Sequence, residues 1–149
     1  MSQPPFVIRA ATSADLEAVA HLLQSAGLPT DGLEEQFGEG YAIAECDGVP
    51  VGAVGIEIHD GAGLLRSAVV DPAWRGRGVG DALTRNRLAW ASARALTEVW
   101  LLTTTAADYF PRFGFVRADR AEAPPAMQRS REFADACPAS AVAMRLSLA

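Results

Sequence analysis

Leu64–Ala95, LLRSAVVDPAWRGRGVGDALTRNRLAWASARA, is the stretch whose reading decides the fold. Leu64 to Val70 carries few polar residues, as expected of a central strand covered on both faces. Asp71-Pro72 interrupts it, and Arg75-Gly76-Arg77-Gly78-Val79-Gly80 forms a glycine-rich loop. Glycines there let the backbone approach a ligand closely and adopt conformations that other residues resist. The spacing beyond predicts a long helix with Val79, Ala82, Leu83, Ala89, Trp90 and Ala93 on one face. Arg85, Arg87 and Arg94 are directed mostly elsewhere, and Asn86 sits on the apolar stripe as a satisfied polar group. A helix opening after such a loop offers N–H groups and the positive end of its dipole, which favour a phosphate. Arg75 and Arg77 add donors suited to diphosphate oxygens. The loop has no lysine, so it is not a P-loop. Leu83 stands where the dinucleotide pattern needs its third glycine.

Upstream, Val49 to Ile58 and Tyr41 to Cys46 are predicted strands joined by Asp47-Gly48, a strong two-residue hairpin signal. Gly52 and Gly55 weaken a strand unless backbone or ligand packs closely over them. Asp60–Gly63 is the turn into the central strand. Phe6–Arg9 is a first strand. Thr12-x-x-Asp15 reads as a capping box opening a helix from Ser13 to Ala26, with Leu16, Val19, Ala20 and Leu23 buried. Gly27 ends that helix, and His21 lies beside its stripe as a solvated or capping residue. Leu28-Pro29-Thr30-Asp31-Gly32 is a turn before a short helix, Leu33–Phe37.

Downstream, Glu98–Thr104 is a strand. Ala106–Phe113 is a short helix capped by Thr105 or Asp108 and stopped by Gly114, and Phe115-Val116 begins a further strand. Arg117–Pro138 reads as a long surface excursion with one helical turn near Arg129–Ala136, before a last strand, Ser140–Leu146. The order β-α-α-β-β-β-α-β-α-β-β predicts an α/β (α+β) fold, a mixed sheet with helices on both faces.

With 149 residues, half of them apolar and 21% charged, residues 1–149 are expected to form a single domain. A net charge of −5 argues against generic nucleic-acid binding. Cys46 and Cys137 lack metal-ligand spacing, so no metal is expected. No apolar run approaches a membrane span and no signal core is evident, so no membrane partner and a cytoplasmic location are expected.

Three segments resemble the GCN5-related N-acetyltransferase (GNAT) superfamily. Arg75, Gly78 and Gly80 fill the fixed positions of its acyl-CoA-binding motif, Arg/Gln-x-x-Gly-x-Gly/Ala, after Ala68-Val69-Val70. Tyr109-Phe110-x-x-Phe113-Gly114-Phe115 resembles the segment that closes its strand-helix-strand. Ile8-Arg9-Ala10-Ala11-Thr12-x-x-Asp15 resembles its opening. Leu64-Leu65-Arg66-Ser67, Leu101–Ala106 and Cys137-Pro138-Ala139-Ser140-Ala141 are similar to acetyltransferases of bacterial arsenic-resistance operons and to amino-acid N-acetyltransferases such as N-acetylglutamate synthases. The resemblance implies a mostly antiparallel sheet of six or seven strands whose fourth and fifth strands splay apart.

It further implies acetyl transfer from acetyl-CoA to an amine. Ala68, Val69 and Val70 would contact pantetheine and polarise the thioester. Arg75, Gly76, Arg77, Gly78, Val79, Gly80 and Asp81 would hold the diphosphate. Thr103, at the position of a frequent family Asn, would also lie on the cofactor side. The family's acid, a Tyr four residues before the Gly, is Phe110 here. Tyr109 is one residue earlier, so Tyr109, water, or a hydroxyl of Thr103, Thr104 or Ser67 could protonate the thiolate. Glu57 is the candidate base; its other reading is an exposed strand-end carboxylate. Arg66 either pairs with Glu57 or Glu45 or receives a substrate carboxylate, with Ser67 beside it on the substrate side. The implied acceptor is a small amine, an amino acid or analogue, and the enzyme a monomer or homodimer. The alternatives are a non-catalytic acyl-CoA-binding module and a protein or peptide N-acetyltransferase.

Overall fold

The structure, a computed structural model, describes residues 6–28, 30, 33–104, 106–130, 133 and 141–148. Its elements in chain order are β1 (Val7–Ala10), α1 (Leu16–Ser25), α2 (Leu33–Gln36), β2 (Tyr41–Cys46), β3 (Val49–His59), β4 (Ala62–Val70), α3 (Val79–Ala93), β5 (Glu98–Thr103), β6 (Val116–Arg117), α4 (Pro125–Gln128) and β7 (Val142–Ser147). The strands form one seven-stranded sheet in the order β1-β2-β3-β4-β5-β7-β6. β4 and β5 are parallel, whereas β1–β2, β2–β3, β5–β7 and β6–β7 are antiparallel. The expected mixed, mostly antiparallel sheet is therefore what the chain forms. Two compact units make up the chain, Met1–Gly55 with Ser67–Arg87, and Ile56–Arg66 with Leu88–Ala149.

In the first unit, Asp47 and Gly48 take φ of 51° and 77°, the two positive values that a tight hairpin turn requires. Ile43, Ala53 and Val69 share a core with Val19, Leu22 and Leu23 of α1. Gly52, one position along β3, faces the other way: a Cβ there would lie 3.1 Å from Val79 and from Leu83 of α3. Alternation along one strand thus places α1 and α3 on opposite faces. A Cβ on Gly55 would run into the ring of Tyr41, its partner across the ladder. The close packing foreseen over both glycines is present, and protein supplies it.

The capping segment differs in detail from expectation. Ser13–Asp15 is a 3₁₀ turn and α1 proper starts at Leu16. The Thr12 N–H donates to the Asp15 carboxylate at 2.8 Å, as a capping box demands. The same carboxylate takes both Arg9 Nη groups at 2.8 Å, while Arg9 Nε lies 3.2 Å from Glu45. On α3, Val79, Leu83, Thr84, Arg87 and Ala91 are buried, whereas Ala89 and Ala93 are exposed. Arg87 therefore corrects the reading that directed it away from the core. Its Nη1 donates to the Glu39 carbonyl at 3.0 Å, and Asn86 Oδ1 accepts from its Nε and Nη2. Asn86 is satisfied, as expected.

In the second unit, the turn into β4 is only Asp60-Gly61, with φ of 51° and 80°. β4 starts at Ala62 rather than Leu64. Its pairing with β5 comprises Ala62–Glu98, Gly63–Val99 and Leu64–Trp100. Leu65 and Arg66 are already outside that register, which is the onset of the expected splay. Phe110–Phe113 is a 3₁₀ turn rather than part of an α-helix, because Pro111 removes a donor. Gly114 stops it with φ of 102°. The segment after β6 corrects the surface reading most clearly. Ala123, Met127 and Phe133 join Ala62, Leu64, Trp100 and Ala143 in a core, and α4 stands at 125–128, ahead of the expected helical turn. Pro29, Asp31, Gly32, Thr105, most of the Arg129–Ala136 turn, Cys137 and Ser140 lie outside the described residues.

Candidate active site

The loop after β4 is built by short-range constraints. The Asp71 carboxylate accepts the Ala73 N–H at 2.9 Å, and the Asp71 N–H donates to the Val51 carbonyl at 2.8 Å. This ties the end of β4 to β3 and closes the turn Pro72–Trp74. Gly76 and Gly78 follow with φ of 78° and 82°, values that favour glycine. The Ala82 N–H donates to the Gly78 carbonyl at 3.0 Å. The N–H groups of Val79 and Gly80 consequently precede the hydrogen-bond ladder of a 15-residue helix. Arg75, Gly76, Arg77 and Gly78 are exposed, and Gly80 and Asp81 half-buried. The Arg77 guanidinium lies 5.0 Å from the centre of the Trp74 ring, a stacking that limits its excursions. An exposed, doubly cationic loop at a helix start is a combination that favours an anion.

Ala68 and Val70 are half-buried on β4 and Val69 is buried. Ser67, just before them, has φ of 59° within the strand. A non-glycine residue in that region costs on the order of 1–3 kcal/mol and concentrates at functional positions. Its hydroxyl lies 3.4 Å from that of Tyr41. Serine carries no sequence signal for positive φ, so this feature was not legible.

Glu57 and Arg66 come together. Arg66 Nη1 donates to Glu57 Oε2 at 2.9 Å, with side-chain exposures of 0% and 3%. Of the two carboxylates read as structural partners for Arg66, Glu57 is the one it pairs with; Glu45 is engaged by Arg9 instead. The exposed strand-end reading of Glu57 is corrected, since the residue is buried. A buried guanidinium needs such a partner, because an uncompensated charge there is costly. His59, which sequence reasoning missed, places Nε2 3.0 Å from Glu57 Oε1. The signal for it was present: Glu57-x-His59 on a strand puts both side chains on one face.

Thr103 Oγ1 accepts the Ala106 N–H at 2.9 Å, so Thr103 rather than Asp108 caps the turn after β5. Tyr109 is half-buried. Its ring packs edge-on to Phe110 and Phe113 at 5.1 and 5.4 Å, and the Arg112 guanidinium lies 4.4 Å from its centre. Among the described residues no group of His, Cys, Asp and Glu could hold a metal ion.

The comparisons agree with this geometry. The model of the acetyltransferase (GNAT) domain matches residues 38–117. No curated protein sequence matches significantly. Rv2747 from Mycobacterium tuberculosis, solved in complex with CoA and NLQ, is 25% identical with a TM-score of 0.81 over 96% of this chain and 99% of that one. N-acetylglutamate synthase from Neisseria gonorrhoeae, complexed with coenzyme A and N-acetyl-glutamate, is 20% identical with a TM-score of 0.82. That match covers 99% of this chain but 36% of the synthase. The ribosomal-protein-S18-alanine N-acetyltransferase from Escherichia coli is 19% identical with a TM-score of 0.75, over 97% and 95% of the two chains. A glycine-rich loop at the start of α3, a parallel β4–β5 pair parting after Leu64, and a domain model matched over more than half the chain lead to one conclusion: the chain belongs to the GNAT family and is an N-acetyltransferase.

Proposed function

We propose that the chain acts as one acyltransferase domain that moves acetyl from acetyl-CoA to the amine of a small molecule, an amino acid or analogue, by direct attack on the thioester. The carrying observation is the exposed loop Arg75–Gly80, with two positive-φ glycines and helical N–H groups ahead of their ladder. Those amides and Arg75 and Arg77 hold the diphosphate. The backbone of Ala68, Val69 and Val70 then runs along pantetheine and polarises the carbonyl, an electrostatic contribution made by preorganised donors. Holding donor and amine together supplies the rest. Glu57 is assigned as the base for the amine. A thiolate leaves with ordinary thiol basicity and needs no dedicated acid, and Tyr109 is the side chain assigned should one take part. An amino-acid acceptor is favoured by the likeness to Rv2747 and N-acetylglutamate synthase, while the alanine N-acetyltransferase keeps a peptide terminus in the test.

The test has two arms. Calorimetry should show that Gly80→Leu weakens acetyl-CoA binding at least tenfold in a folded protein; unchanged affinity would overturn the loop assignment. Thiol release with a panel of free amino acids and short peptides should show turnover on the former. Turnover confined to peptides would make it a peptide acetyltransferase, and tight acetyl-CoA binding without turnover a binding module.

A further inference from the structure

We propose that Trp74 is a positioning residue for the coenzyme: its ring holds the Arg77 guanidinium in place before the diphosphate binds. The inference rests on the reading of the loop Arg75–Gly80 given above. Trp74 closes the turn Pro72–Trp74, and hydrogen bonds on both sides fix that turn. The Asp71 carboxylate accepts the Ala73 N–H at 2.9 Å, and the Asp71 carbonyl accepts the Trp74 N–H at 2.8 Å. The Trp74 side chain is then set by Phe6, the residue ahead of β1. The two rings meet edge to face, with centroids 6.3 Å apart and planes at 85°, an arrangement that aromatic pairs prefer. The Arg77 guanidinium lies over the same indole, 5.0 Å from its centre, within the reach of a cation–π contact. Phe6, Trp74, Arg77 and the start of α3 all belong to the first compact unit.

Arg77 needs such a support more than most arginines. It stands between Gly76 and Gly78, whose φ values are 78° and 82°, and all three residues are exposed. Flanking glycines widen the backbone's range, and an arginine side chain carries much rotamer entropy of its own. Freedom that must be given up on binding subtracts from affinity, whereas a group already held in place loses little. The form of the contact matters as well. A salt bridge would occupy the N–H groups of the guanidinium. A stack uses its face only, and the N–H groups lie in the plane and point outward. Trp74 therefore fixes the cation without using the donors that a phosphate takes in pairs.

The experiment is calorimetry of acetyl-CoA with wild type, Trp74→Leu, Arg77→Ala and the double variant. Trp74→Leu should weaken binding about fivefold, and Arg77→Ala about tenfold or more. In the Arg77→Ala background Trp74→Leu should add nothing, because it acts through that guanidinium. Trp74→Tyr, which keeps a ring face, should retain most of the affinity. In turnover with the fastest amine of the panel, the change should fall on KM for acetyl-CoA and not on KM for the amine. Undiminished affinity in a folded Trp74→Leu, or an equal loss with and without Arg77, overturns the proposal and leaves Trp74 a packing residue. CoA and dephospho-CoA, which lacks the ribose phosphate but keeps the diphosphate, should show the same penalty in Trp74→Leu. A penalty that vanishes with dephospho-CoA places the guanidinium on the ribose phosphate and overturns the diphosphate assignment. Should Trp74→Leu fail to fold, proton NMR of the wild type decides. The Arg77 Cδ protons, identified by their loss in Arg77→Ala, should be shifted upfield by the indole in the ligand-free protein and stay so with acetyl-CoA; unshifted resonances overturn the proposal. A wild type that binds no acetyl-CoA overturns the loop reading and this inference with it, a result distinct from binding that is indifferent to Trp74.

Discussion

Asp15 shows how much a single residue can hold. Its carboxylate takes two hydrogen bonds from Arg9 and one from the Thr12 N–H. These charge-assisted bonds, Arg9 foremost, lower its pKa from 3.8 to about 2 against the opposing effect of burial. A depressed folded value means that the contribution is fully present above about pH 4 and is lost as pH falls through about 2. The shift corresponds to about 2 kcal/mol. Asp15→Asn should therefore cost about that much at pH 7, read from urea midpoints, and the gap to wild type should close between pH 4 and pH 2. A gap that persists unchanged at pH 2 would assign the effect to packing instead. Thr12-x-x-Asp15 was legible because a capping box is local. Arg9 as a third partner was not, because its side chain reaches Asp15 and Glu45 only once β1 lies beside β2.

Among the elements, β3 is the most constrained. It carries Gly52 beneath α3, Gly55 beneath Tyr41, and Glu57 and His59 on one face near its end. Tyr41 is fully buried, so its ring cannot swing aside into solvent. Gly55→Ala should lose about 2 kcal/mol by overpacking, measured as a lowered denaturation midpoint with unchanged slope; a neutral result would show that β2 can shift to accommodate a methyl group. The Asp47-Gly48 turn made β2 and β3 readable, and the scarcity of polar residues in Leu64–Val70 made β4 readable. Helix α3 was readable in extent but not in facing. Alanines such as Ala89 and Ala93 pack or face solvent with little cost either way, whereas Arg87 is buried because the Glu39 carbonyl and Asn86 receive it. The segment after β6 misled for a related reason. Its arginines, prolines and alanines look like surface, yet Met127 and Phe133 fill a core beside Trp100.

For the whole molecule, the family and the proposed cofactor make a simple demand. A ligand that binds only the folded state stabilises it by about 2.7 kcal/mol at a hundredfold excess over Kd. For a chain of this size, acetyl-CoA at that excess should raise Tm by roughly 5–10 °C. Gly80→Leu at the same concentration should show a much smaller rise; an equal rise would place the coenzyme elsewhere. By itself the sequence determined the order of the strands and of α1 to α3, the tight turns and the glycine-rich, cationic character of Arg75–Gly80, because each depends on residues within a turn or two of one another. Only the tertiary structure decided that Ser67 bends β4 with a positive φ, that β4 and β5 part after Leu64, and that Glu57 sits buried between Arg66 and His59. These depend on which strands become neighbours, and a charge is tolerated inside only where the fold brings its partner to it.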